Sequence, residues 1–215
     1  MYSFSSCRLV FSLMCLSAAS AGAIGATVQV QVQDAAGNPL ADTVVYIEAE
    51  TAPAAGNAQA NGQIEQKGLK FLPLVTVVQT GSKVFFPNND KVRHHIYSFS
   101  AAHKFDQKLY SGESAAPQVF DKAGTVVLGC NIHDKMLAYV KIVDTPYFAK
   151  TDGAGAARIA LPVGGKYVVK AWHYNTVGGA TPEQVLTVKA GDTLSTATFK
   201  LPMKPAAADA TSSAY

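Results

Sequence analysis

Two short runs hold the residues able to do chemistry: Phe86-Pro87-Asn88-Asn89-Asp90-Lys91-Val92-Arg93-His94-His95 and Cys130-Asn131-Ile132-His133-Asp134-Lys135-Met136. A thiolate, imidazoles and a thioether are soft donors, and a trigonal His₂Cys set with a weak, long axial Met is the ligand set of an electron-transfer copper site. Cys130, His133 and Met136, each three positions from the next, can all turn inward from one tight loop. The remaining imidazole must then come from a distant strand or loop, and His94 and His95 both stand where one is needed. A lone Cys-x-x-His would say little; the loop and its upstream partner together are far more specific.

The chain around these runs has 215 residues, enough for one large or two small domains and a real core. Its formal charge of +3 is modest and its lysines are scattered singly, so no nucleic-acid footprint is visible. Arg8, the apolar stretch from Leu9 to Ala19 and the small residues after it read as an export signal over residues 1–26, with cleavage after Ala21, Ala23 or Ala26. The apolar stretch is short of the ~20 residues a membrane span needs. Met14, bulky and directly before Cys15, argues against lipidation there. Removing the signal takes Cys7 and Cys15 with it and leaves Cys130 as the sole cysteine, so no internal disulfide can form. A single thiol in an oxidising compartment is a liability unless buried or occupied, which agrees with a metal ligand.

The elements that must position these residues read as strands. Thr27 to Gln33 alternates strictly between apolar and polar, Asp34 to Pro39 supplies turn residues, and Thr43 to Ala49 reads as a second strand, a β-hairpin-like opening. Residues 51–62 read as a linker. Short strands then recur: Ile64 to Leu72, Leu74 to Gln79, Lys83 to Phe86, Lys108 to Tyr110, Thr125 to Leu128 leading into Cys130, and Leu137 to Val143 leaving the loop. In the tail, glycine turns at Gly153-Ala154-Gly155 and Gly164-Gly165 separate Arg158 to Leu161, Tyr167 to Trp172, Gln184 to Lys189 and Ser195 to Leu201. Helical periodicity is absent, and the expectation is an all-β chain of sandwich or barrel type. Residues 202–215, rich in Pro, Ala, Ser and Thr, read as a disordered end.

At the two runs the chain resembles the cupredoxins, most closely the amicyanin and plastocyanin-like group, whose carboxyl-terminal ligand loop reads Cys-x-x-His-x-x-Met after a strand. Val84-Phe85-Phe86-Pro87-Asn88, then a polar run and His94, looks like the strand and loop carrying that family's first histidine. The middle of the chain, residues 60 to 144, also resembles bacterial secreted proteins labelled methylamine utilisation or plastocyanin-like. The resemblance implies a Greek-key β-sandwich over residues 62–144 holding one type 1 copper on His94, Cys130, His133 and Met136. It places His95 where those proteins often carry an asparagine that hydrogen-bonds across to the cysteine loop. Arg93 departs from the proline common before the first histidine, and Leu128 from the aromatic often found two before the cysteine. "DAAGNPLADTVVYI" and "TDGAGAARIALPVGGKYVVKAW" look like two halves of a carboxypeptidase-regulatory-like sandwich, implying that residues 27–56 and 145–201 form a second unit into which the copper unit is inserted.

Blander readings compete at each position. A free cysteine is most often a small buried hydrophobe, and a methionine fills gaps. His103 and His173 stand at no family ligand position, and Trp172 reads as packing in the outer sandwich. The family implies a periplasmic carrier of single electrons, in an amine-oxidising chain, whose partners are redox proteins such as a c-type cytochrome or an amine-oxidising dehydrogenase. The main alternative is a copper carrier that delivers metal instead of electrons. An enzyme with Cys130 as nucleophile and His133 as base leaves Met136 and the upstream histidine unexplained.

Overall fold

Alternation in the first strand is converted directly into packing. In Ala26–Asp34 (β1) the residues Ala26, Val28, Val30 and Val32 are buried while the glutamines between them face outward. The computed structural model of the chain describes residues 25–50, 61–110, 116–133, 135–162, 164–189 and 191–205. Residues 1–24 of the segment read as an export signal, most of the stretch read as a linker and residues 206–215 lie outside these. β1 starts inside the segment assigned to export, pairing Ala26 with Leu161.

After β1 come Val44–Ala49 (β2), Gly62–Gln63 (β3), Glu65–Gln66 (β4), Phe71–Leu72 (β5), Val75–Gln79 (β6), Ser82–Phe85 (β7), His94–Ser98 (β8) and Phe105–Tyr110 (β9). Gln118–Phe120 (β10), Gly124–Cys130 (β11), Leu137–Val143 (β12), Phe148–Lys150 (β13), Ala156–Leu161 (β14), Gly165–Trp172 (β15), Glu183–Val188 (β16) and Leu194–Leu201 (β17) complete the series. The all-β expectation holds: among the described residues the only helical turn is a 3₁₀ turn at Val177–Gly179.

Strands β6, β12, β11, β8 and β9 form one sheet in that order, and β10, β7 and β3 form another. Between them lies a core that includes Ile64, Phe86, Ile96, Phe120, Leu128 and Val140. Strands β14, β1 and β17 pair in a third sheet and β13, β2, β15 and β16 in a fourth. Their shared core holds Val30, Ile47, Ile159, Tyr167 and Phe199.

The expected opening hairpin does not form. β1 lies antiparallel to β14 and parallel to β17, while β2 pairs with β13 and β15. The turn residues between β1 and β2 serve instead to carry the chain from one sheet to the other, with Asn38 donating to both carboxylate oxygens of Asp34 at 2.8 Å. Gly62, read as linker, belongs to β3 and pairs with Val84. Ile64 to Leu72, read as one strand, is the tight hairpin β4–β5, because Gly68 and Leu69 both take left-handed backbone angles (φ 62 and 57) and fold the chain back. Residues 202–205 of the tail read as disordered are ordered: Met203 bridges to Thr176 and packs against the core of this sandwich.

Trp172 does not pack inside the outer core. It stands at the junction of the two groups of strands with Val44, Tyr46, Val75 and Val143, its ring against Tyr139. The ammonium of Lys141 lies 5.4 Å from the Trp172 ring and 5.6 Å from that of Tyr46. Burial, then the nearby Lys170, pushes the Lys141 amine below its ordinary value.

Candidate metal centre

Cys130 is delivered by the last residue of β11, the central strand of the five-stranded sheet, and is 4% exposed. Ahead of it Gly129 has a structural reason to be glycine. A Cβ there would stand 2.8 Å from the ring of Tyr97, its partner on the neighbouring strand. The chain then turns: the Met136 N–H donates to the His133 carbonyl at 2.9 Å, closing the loop before β12 starts at Leu137.

The parity of β8 separates the two upstream histidines. Its burial alternates, so His94, Ile96 and Ser98 face the core while His95 and Tyr97 face outward. Ile96 pairs with Cys130, which brings the inward His94 to the thiol. His94 is fully buried, and its Nδ1 lies 3.8 Å from the Cys130 Sγ. The His133 Nδ1 lies at the same 3.8 Å from that sulfur, and the two rings meet edge to face with centroids 5.0 Å apart. Donor atoms of His94, Cys130 and His133 all lie within 4.8 Å of one another. Met136, 2% exposed, belongs to the same buried cluster as Cys130.

His95 goes elsewhere. Its ring meets the Asp106 carboxylate on the surface. The link across to the cysteine loop that the resemblance assigned to its side chain is made by its backbone, the Asn131 N–H donating to the His95 carbonyl at 3.3 Å. His103 and His173 are also away from the site: His103 lies among Phe105 and Phe120, and His173 stacks on Tyr174 with centroids 4.3 Å apart.

The contacts around His94 decide which nitrogen faces the sulfur. Its Nε2 lies 2.8 Å from the Asp90 Oδ2, and a carboxylate can only accept, so Nε2 carries the hydrogen and Nδ1 presents a lone pair to Cys130. Asp90 is itself held by the Gly68 N–H at 2.6 Å and the Leu69 N–H at 3.1 Å. Burial alone would raise its carboxyl; the Leu69 N–H, the His94 ring and the Gly68 N–H together hold it below its ordinary value. Asn88 fixes the same loop, donating from Nδ2 to the carbonyls of Val92 at 2.9 Å and Tyr110 at 3.0 Å and accepting from the Asp90 N–H.

A layer further out, the Tyr110 hydroxyl donates to the Phe86 carbonyl at 2.5 Å, and the Gln66 amide donates to that carbonyl and to the hydroxyl. Burial pushes the Tyr110 hydroxyl up to about 12, so it stays a neutral donor through the physiological range. Neither Asp90, Gln66 nor Tyr110 stood out in the sequence. The available signal was the acid four positions before the histidine.

The donor set fits a metal ion better than a hydrogen-bonded thiol. A thiol has one proton and can satisfy only one of two imidazole nitrogens, whereas both stand equally far from this sulfur. For a first-row ion with bonds of about 2.0 Å to nitrogen and about 2.3 Å to sulfur, opened to about 120°, nitrogen and sulfur would be about 3.7 Å apart. The observed separations match that spacing. The softness of the donors then favours copper over harder ions.

No family model matches the chain, and no curated protein does. Among solved structures it is similar to a copper-containing nitrite reductase from Thermus scotoductus SA-01, at 21% identity over 44% of this chain and 25% of that one (TM-score 0.37). It is also similar to a purple cupredoxin from Nitrosopumilus maritimus, at 21% identity over 38% of this chain and 99% of that one (TM-score 0.34). A third is amicyanin from Paracoccus versutus, at 17% identity over 45% of this chain and 97% of that one (TM-score 0.36).

Proposed function

We propose that the chain is a periplasmic copper protein that carries single electrons between redox partners, with one copper held by His94, Cys130, His133 and Met136. The observation that carries this reading is one buried sulfur with two imidazole nitrogens at 3.8 Å. A bound copper supplies the one-electron Cu(II)/Cu(I) couple; everything else is the work of the chain.

Cys130 is fixed by a central strand and His94 is the first residue of its neighbour, so two adjacent strands of one sheet hold two of the donors. Asp90 locks the His94 ring in one tautomer and orientation, and its negative charge makes that imidazole a stronger donor. A frame held this firmly resists rearrangement when the charge of the centre changes, which is what fast electron exchange requires. Burial of Cys130 and Met136 keeps water from the sulfur donors. His133 alone is partly exposed, so electrons enter and leave through its ring. Four protein donors leave no position for a substrate, which supports a carrier over an enzyme. Its partners are redox proteins such as a c-type cytochrome or an amine-oxidising dehydrogenase, on the strength of the sequence resemblance.

The test is spectroscopic and kinetic. Copper-loaded protein should show intense visible absorption when oxidised and should cycle between oxidation states with its metal retained. Release of copper on reduction would make a metal carrier of it.

We further propose that residues 62–144 are a unit inserted in the sandwich built from 27–56 and 145–201. Pairing supports this: among the described residues β3 to β12 pair only with one another, and β1 and β2 only with strands after residue 147. A fragment of 62–144 should fold and take up copper. Failure to fold would show that the junction around Trp172 is part of one indivisible core.

A further inference from the structure

Three loops meet where His133 reaches the surface, and their charges are lopsided. The tip of the β4–β5 hairpin, residues 67–70, is tied to residues 88–93 through Asp90 and shares a cleft with His133 and Lys135 of the loop 131–136. Lys67, Lys70, Lys91, Arg93 and Lys135 are all exposed on these loops. Against them stand three acids, of which Glu65, beside the hairpin tip, accepts from the Asn89 amide at 2.7 Å. Asp90 spends its carboxylate inward on Gly68, Leu69 and His94, and Asp134 lies outside the described residues. Of the chain's 18 lysines and arginines five are here, and of its 15 aspartates and glutamates three, so these loops carry a net excess of positive charge.

The same end carries apolar surface. Leu69 is 47% and Ile132 48% exposed, and Val92 and Leu137 are exposed nearby in sequence. A cleft of about 380 Å³ is lined by Gly68, Leu69, Lys70, His133 and Lys135. An apolar floor reaching an imidazole, rimmed by one sign of charge, is built for brief encounters: the charge steers and the apolar contact seats.

We propose that this end docks the acidic face of a redox protein, with the 67–70 hairpin tip as the recognition element. The inference rests on the electron-carrier reading and names the class of partner. One electron passes from the reduced centre through the His133 ring to the oxidised partner, the partner gaining what the centre loses, and no proton or bond moves. The contact is expected to be small, in the range of transient redox complexes.

Two measurements test this, one independent of electron transfer. In metal-free protein, redox-inert hexacyanocobaltate(III) should shift the amide resonances of 67–70 and 131–136 at low salt; shifts elsewhere, or none, overturn the proposal. In copper-loaded protein, oxidation by an acidic c-type cytochrome should slow steeply as salt is added, while oxidation by a basic one should not. Lys70→Glu with Lys135→Glu should slow the acidic pair by about tenfold or more at low salt with the visible spectrum unchanged. Equal rates with both cytochromes, insensitive to salt and to the two substitutions, sink the docking surface and leave the carrier reading intact. No exchange with either cytochrome, with amide shifts as expected, sinks the carrier reading instead. Tight binding of the metal-free protein to phosphatidylglycerol vesicles at physiological salt would assign the face to a membrane and overturn the proposal.

Discussion

Cys130→Ser removes the visible charge-transfer absorption of the copper-loaded protein completely, because that transition belongs to a copper–thiolate bond and a serine hydroxyl offers no equivalent donor at neutral pH. The fold should survive. The side chain is small and buried, so the substitution costs at most a hydroxyl left short of partners, about 1–3 kcal/mol. Absorption of the reconstituted variant and its urea midpoint separate the two effects. A coloured serine variant would mean that Cys130 is only a core residue, and the assignment of the centre would fall with it.

His94→Ala and His95→Ala differ by one residue of sequence and should differ sharply in outcome. The first strips a fully buried ring from the sulfur and leaves the Asp90 carboxylate without its imidazole partner, a loss of roughly 2–4 kcal/mol of stability together with the visible band. The second removes a ring paired with a largely exposed carboxylate on the surface, where such a pair contributes about 0–1 kcal/mol. Its spectrum should be unchanged. Spectra of both variants, with imidazole added to refill the cavity in the first, decide the register. Retained colour in His94→Ala and lost colour in His95→Ala would invert it.

What the sequence revealed and what it hid follow from the range of the interactions. Cys130, His133 and Met136 lie in one loop, so their joint purpose shows in local spacing, and a long alternating strand such as β1 shows itself in the same way. Pairing is not local. The turn residues after β1 read as a hairpin because nothing near them reveals that the partner of β1 on one side is β17. Strands of two or three residues, β3, β10 and β13, are too short for any period to register. Asp90 read only as part of a polar run, and only the fold shows its carboxylate turned inward on His94. Gln66 and Tyr110 read as ordinary polar members of strands until their shared bond to the Phe86 carbonyl places them beneath the site.

The parallel pairing of β1 with β17 also orders events during synthesis. β1 is the central strand of its sheet, yet both of its neighbours come after residue 155, and the last of them closes at Leu201. Every strand around the metal centre is complete by Val143. The growing chain therefore carries β1 with two open hydrogen-bonding edges while the region around Cys130 already has all its strands, and the first of the described strands to emerge is the last to be enclosed. A chain stalled before residue 194 would be left with that edge uncovered, so quality control acting on this protein would see β1, not the loop after Cys130.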